Sequence, residues 1–209
     1  MPFGKQNDAL KASWLLLLAT VFWGFSFLAM KSLGMIQKEI LPEASSWFFS
    51  ALSLVVRFGF SALILVLWAR RTLKGWTRRE LEQGIFLGLA GGVGILIQMD
   101  AVNYTSASTT AFLTQSYCLF IPIYVAITKR IWPGKRLLLN CVMVVSGVAI
   151  LSQFNWQQMR FGRGEAEAII ASVFFTAQIL LLEEPRYARN NVNNVLAMMF
   201  VVKLASVLP

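Results

Sequence analysis

The stretch from Gly84 to Lys129 constrains the fold most. Two long uncharged runs, Gly84 to Met99 and Ala107 to Thr128, are joined only by the short corner Asp100 to Ser106. Each run approaches the roughly 20 apolar residues that cross a hydrocarbon core of about 30 Å. In lipid every backbone N–H and C=O must be satisfied internally, and helices do that within one segment. The first run carries Gly84, Gly88, Gly91, Gly92 and Gly94, a small-residue pattern that lets another helix approach closely. The second holds Gln115, Ser116, Tyr117 and Pro122 in an otherwise oily helix. Such groups are tolerated at depth where protein or a watery cavity satisfies them, so the hairpin is expected to border a path through the membrane. The corner Asp100 to Ser106 is expected at its outer edge.

Composition agrees. Hydrophobic residues make up 57% of the 209 and charged residues 14%, against roughly 25% charged in soluble domains. Cys118 and Cys141 both fall within predicted spans, which argues against a secreted disulfide framework. The chain has no histidine, so His metal sites, His-based triads and His relays are excluded. Asp8 and Asp100 are its only aspartates, which leaves no partner for an intramembrane aspartate dyad. No enzyme, cofactor or metal site is expected.

In chain order, a short polar start leads into a first span, Ser13 to Met30, closed by Lys31. Its length, aromatic content and lack of a small-residue cleavage site favour a span over a signal peptide. A link from Gly34 to Ser46 precedes a second span, Trp47 to Trp68, interrupted by Arg57. The basic loop Arg70 to Gln83 opens the hairpin, and Lys129, Arg130, Lys135 and Arg136 follow it. Leu137 to Leu151 is a fifth span, which Ser152 to Phe154 could extend. Gln153 to Gly164 is polar and is taken as the main internal boundary. Ala166 to Leu182 is a sixth span, Glu183 to Asn194 a polar loop, and Val195 to Pro209 begins a seventh of about 22 Å.

The basic residues orient the chain. With a cytoplasmic N-terminus the inner segments hold thirteen Lys and Arg, and the outer links only Lys38, Arg160 and Arg163. That asymmetry is a topology signal, with attraction to anionic lipid as a secondary effect. The net charge of +9 therefore lends no support to nucleic-acid binding. The expected partners are the lipid bilayer and a small-molecule substrate, in the plasma (inner) membrane.

Two echoes suggest an internal duplication. Ala19-Thr20-Val21-Phe22-Trp23 resembles Ala171-Ser172-Val173-Phe174-Phe175, and Leu54-Val55-Val56-Arg57 resembles Phe200-Val201-Val202-Lys203. Five spans separate the starting points, and an odd number places the second unit upside down in the membrane. Inverted repeats are a transporter architecture with the substrate site near the midplane between the halves. The expected fold is an all-α, polytopic inverted-repeat bundle. Residues 1–155 form the first unit and 156–209 an incomplete second one.

The Trp23-Gly24 pair, Lys31, Arg57, the run Ala101-Val102-Asn103-Tyr104-Thr105-Ser106-Ala107-Ser108 leading to Pro122, then Gly147 and Gly164, resemble the EamA type of the drug/metabolite transporter superfamily. The resemblance implies a ten-helix carrier of small metabolites, amino acids or drug-like compounds, working by alternating access and often outward. These 209 residues would hold about seven of the ten helices. Many members carry an acidic residue just after the fourth span, where this chain has Lys129 and Arg130, so that role is not transferred. The competing reading is a membrane assembly protein without transport.

Candidate substrate-binding residues follow from position. Trp23 and Phe27 are four apart and share a helix face. Gln115, Tyr117 and Gln98 are polar groups within spans. Phe174 and Gln178 lie one turn apart in the sixth span and would face the first unit. Pro122 is expected to kink the fourth span as a gating or structural element, since it lacks an N–H and clashes with the preceding turn. Arg57, Lys203 and Lys31 are expected to snorkel towards an interface; if Arg57 points inward instead, it would attract a substrate carboxylate.

Overall fold

In the computed structural model, described for residues 3–70, 72–73, 75–130, 132–151 and 161–207, those residues are mostly helical and contain no strand. The helices are α1 (Phe3–Ile40), α2 (Ser46–Ala69), α3 (Arg78–Tyr104), α4 (Ala107–Thr114), α5 (Tyr117–Lys129), α6 (Lys135–Leu151), α7 (Arg163–Leu182) and α8 (Val192–Ala205). A short 3-10 turn, Pro185–Tyr187, lies between the last two. α1, α2, α3, the α4–α5 pair and α7 are long and apolar enough to cross a membrane, and α8 is a shorter apolar helix. The protein is an all-α polytopic membrane protein.

α3 forms the axis and packs chiefly on α7 and α8. Of its most apolar stretch 61% is buried, whereas none of that of α1 is. The glycines explain the difference. A Cβ built on Gly84 would lie 2.5 Å from Met198 Cβ, and one on Gly88 would lie 2.6 Å from Val202 Cβ, so α8 sits directly on the bare backbone of α3. Gly94 meets Phe174 and Phe175 of α7 in the same way. Among lipid tails apolar burial brings little net gain, and close van der Waals packing of this kind holds helices together. Leu54, Phe58, Ile95, Met99, Ala171 and Phe175 fill the space between α2, α3 and α7.

Several expectations change. α1 runs on to Ile40, which shortens the link predicted from Gly34 to 41–45. α3 continues through Asp100 to Tyr104, so the corner shrinks to Thr105 and Ser106; both cap helices, the Thr105 N–H donating to Ala101 O and the Thr109 N–H donating to Ser106 Oγ. The fourth span is broken: α4 ends at Thr114 and α5 begins at Tyr117. Tight bonds bridge the break, Ser116 N–H to Leu113 O and Cys118 N–H to Gln115 O. Pro122 lies one turn further on, inside α5. A proline leaves the carbonyl four residues earlier without its helical donor, and the Cys141 thiol of α6 donates to that carbonyl, Cys118 O, at 3.4 Å. Arg71, Lys74, Arg160, the extension 152–154, most of the boundary stretch 153–164 and the last two residues of the seventh span lie outside the described residues.

Polar networks fasten both ends of α3. At its start the Glu80 carboxylate is buried and accepts from the backbone N–H groups of Thr77 and Asn191 and from Asn194 Nδ2, each at 2.9 Å. Asn190 Nδ2 donates to Gln83 Oε1, and the Tyr187 hydroxyl to Glu82 Oε1. At its far end Arg163 of α7 reaches Asp100 at 2.6 Å, Glu167 at 2.7 Å and the Tyr104 hydroxyl at 2.8 Å. Asp100, expected at an outer corner, is fully buried in α3. The Lys31 ammonium donates to Val102 O and Thr105 O, where carbonyls at a helix C-terminus lack intrahelical donors and attract a cation.

Candidate functional site

A cavity of about 530 Å³ opens between α1, α3, α4, α5 and α7, within the range that holds small ligands. α3 contributes Gln98, which is 1% exposed. Its Nε2 donates to Thr114 Oγ1 at the end of α4 across 3.1 Å. The bond satisfies an amide that would be costly if buried alone. It also sets Gln98 beside the α4–α5 break, and the break turns both Gln115 and Tyr117 to the cavity. α7 supplies Phe175 and Gln178, and α1 supplies Thr20, Trp23 and Gly24. The walls combine amides, hydroxyls and aromatic rings, and no charged side chain is among the described lining residues. Such a surface offers stacking and paired donor and acceptor contacts to a small polar solute, but no nucleophile-and-base pair.

Of the residues singled out in the sequence, Trp23, Gln98, Gln115, Tyr117 and Gln178 line this one cavity. Phe174 does not: its Cβ faces Gly94 of α3, and the next residue, Phe175, takes the cavity position. Both residues pack over Gly94, Phe174 through its Cβ and Phe175 through its ring edge. The Phe27 side chain lies outside the described residues. Pro122 is not in the wall.

Arg57 and Lys203 stand behind the wall. Arg57 Nη1 approaches Met30 Sδ at 4.0 Å, and its guanidinium carbon lies 5.8 Å from the centre of the Trp23 ring. Lys203 is 8% exposed, with its ammonium 5.1 Å from the centre of the Phe58 ring. Neither snorkels freely, since each is drawn inward over an aromatic face. Gly91 allows the approach on the α8 side: a Cβ there would meet both Gln178 Oε1 and Lys203 Cε.

Sequence reading missed the Arg163–Asp100–Glu167–Tyr104 cluster and the cluster around Glu80. The spacing of Arg163 and Glu167, and of Asp100 and Tyr104, at i and i+4 was the available signal. Their meeting, 63 residues apart in the chain, was not.

Among known proteins, residues 10–153 match the family model described as the EamA-like transporter family. A curated relative, an uncharacterized transporter of Archaeoglobus fulgidus, is 25% identical over 167 residues, covering 80% of this chain and 47% of that protein. The chain therefore spans about half the length of that relative. No solved structure matches it significantly.

Proposed function

Since the chain belongs to the EamA-like transporter family, we propose that it carries small metabolites, amino acids or drug-like compounds through the central cavity by alternating access, as an exporter. The observation that supports this most is the make-up of the cavity. α1, α3, α4 and α5 come from residues 10–153, and α7 from the segment beyond. A solute held there touches both parts, so rocking one against the other would open the cavity to each side in turn.

In this reading residues 1–155 form one repeat, 156–209 begin an inverted second repeat, and the N-terminus faces the cytoplasm across the plasma membrane. Trp23, Gln98, Gln115, Tyr117 and Gln178 contact the solute, and Phe174 serves by packing beside them. Pro122 sets the bend that turns Gln115 and Tyr117 inward.

The test is solute movement in reconstituted vesicles, with the chain as it stands and any longer product of its reading frame assayed side by side. A broad metabolite mixture is read by mass spectrometry. Gln98→Ala and Trp23→Ala should each slow transport about tenfold, the effect of one lost contact of about 1.4 kcal/mol, with protein level unchanged. Leu15→Ala, on the exposed part of α1, should not. If neither product moves any solute, the membrane-assembly reading replaces this one.

A further inference from the structure

Two cations lie inside the bundle without a carboxylate partner. Among the described residues the ion pairs are Arg163 with Asp100, Arg163 with Glu167, and Arg186 with Glu82, and none includes Arg57 or Lys203. Lys203 is nearly buried and has only the Phe58 ring as a described electrostatic contact, while Arg57 has Met30 and the Trp23 ring. Aromatic faces and a thioether recover only part of what a buried charge loses on leaving water. A pair of this kind is a standing positive potential in a low-dielectric site.

That potential acts on the cavity. Arg57 backs Trp23, and Lys203 backs Gln178 through the gap left by Gly91, and both Trp23 and Gln178 are wall residues. Among the described residues the wall holds no Asp or Glu, so a cationic solute would meet repulsion from these two cations without a described carboxylate to offset it. We propose that the cavity selects a small organic anion, with its charged group drawn to the Trp23–Gln178 side where Arg57 and Lys203 neutralise it. This rests on the carrier reading and narrows its substrate class.

The experiment uses pairs of probes of matched size that differ in charge. Succinate is compared with succinamide, and glycerol 3-phosphate with glycerol, by titration calorimetry on the purified chain in lipid nanodiscs. At least one anion should bind about tenfold or more tighter than its neutral counterpart, and high salt should weaken only the anion. Lys203→Met and Arg57→Met should each erase most of that preference. Lys203→Arg should keep it, separating loss of charge from loss of packing. Neutral members binding as well as anions, with Trp23→Ala abolishing both, would overturn the anion proposal and leave the carrier intact. A preference unchanged in both methionine variants would also overturn it. Binding of no probe, charged or neutral, would count against both readings.

Discussion

Replacing Gly88 by alanine tests the central claim that α8 rests on the backbone of α3. The added Cβ would lie 2.6 Å from Val202 Cβ, 2.8 Å from Val202 Cγ1 and 3.0 Å from Met199 O, all inside ordinary contact. None of these atoms yields easily: valine has one strongly preferred rotamer in a helix, and Met199 O is backbone. Forcing extra volume into a packed site costs about 1–3 kcal/mol, while alanine recovers about 1 kcal/mol over glycine as a helix former. Gly59 in α2 has nothing within 4 Å of its missing Cβ, so Gly59→Ala should show the helix gain alone. The two variants should then differ by about 2 kcal/mol, or roughly 4–8 °C in Tm for a chain of this size. Thermal unfolding in detergent, followed by circular dichroism at matched lipid content, reads the difference. If Gly88→Ala melts with Gly59→Ala or above it, the two helices are not in the described contact.

Other expectations rest on the polar clusters. Arg163→Met strands the fully buried Asp100 and should lower Tm, and adding Asp100→Asn should restore part of the loss, because a buried carboxylate without its cation is worse than a neutral pair; equal melting of single and double variants would refute the pairing. Glu80→Ala removes the acceptor used by the Thr77 and Asn191 N–H groups and should cost about 1–3 kcal/mol, with faster hydrogen exchange at the start of α3 as the readout. Tyr187 lies outside the spans, and burial, followed by its bond to Glu82, raises its phenol above the ordinary value of 10.0. A raised folded value gives stability that is full below about pH 10 and lost as pH climbs through the shifted value. Tyr187→Phe should flatten that alkaline loss in a pH series of melting curves.

The apolar runs were legible because length and absence of charge suffice to mark a membrane helix, and the glycines of α3 were legible because small residues in lipid have a packing use. Five of the six expected cavity residues whose side chains are described line the cavity for a related reason: an amide or ring at depth has few other places to go. Phe174 and Phe175 show where this stops. Both are aromatic and adjacent and both pack over Gly94, yet only Phe175 lines the cavity, a choice set by how α7 packs on α3. Lys31, Asp100 and Lys203 show a second limit. Snorkelling and corner placement are sound defaults for a helix alone in lipid, but each of these side chains meets a partner from a distant part of the chain, and no local rule contains that partner. The break at Gln115–Ser116 was half visible: Pro122 announced a disturbance, but the distortion is absorbed one turn earlier, with the Cys141 thiol covering the carbonyl left behind.

α1 gives the cavity Trp23, yet it is held mainly along its second half, where Lys31 binds the end of α3, Gly34 lies against Asn103 and Gln37 Nε2 donates to Ser53. From Leu10 to Phe22 its residues are exposed. A rod clamped over half its length moves most at the less clamped half. Amide exchange should therefore rise from the Lys31 end towards Leu10, and the vestibule should breathe sideways into the bilayer past Thr20 before α3 and α7 stir at all.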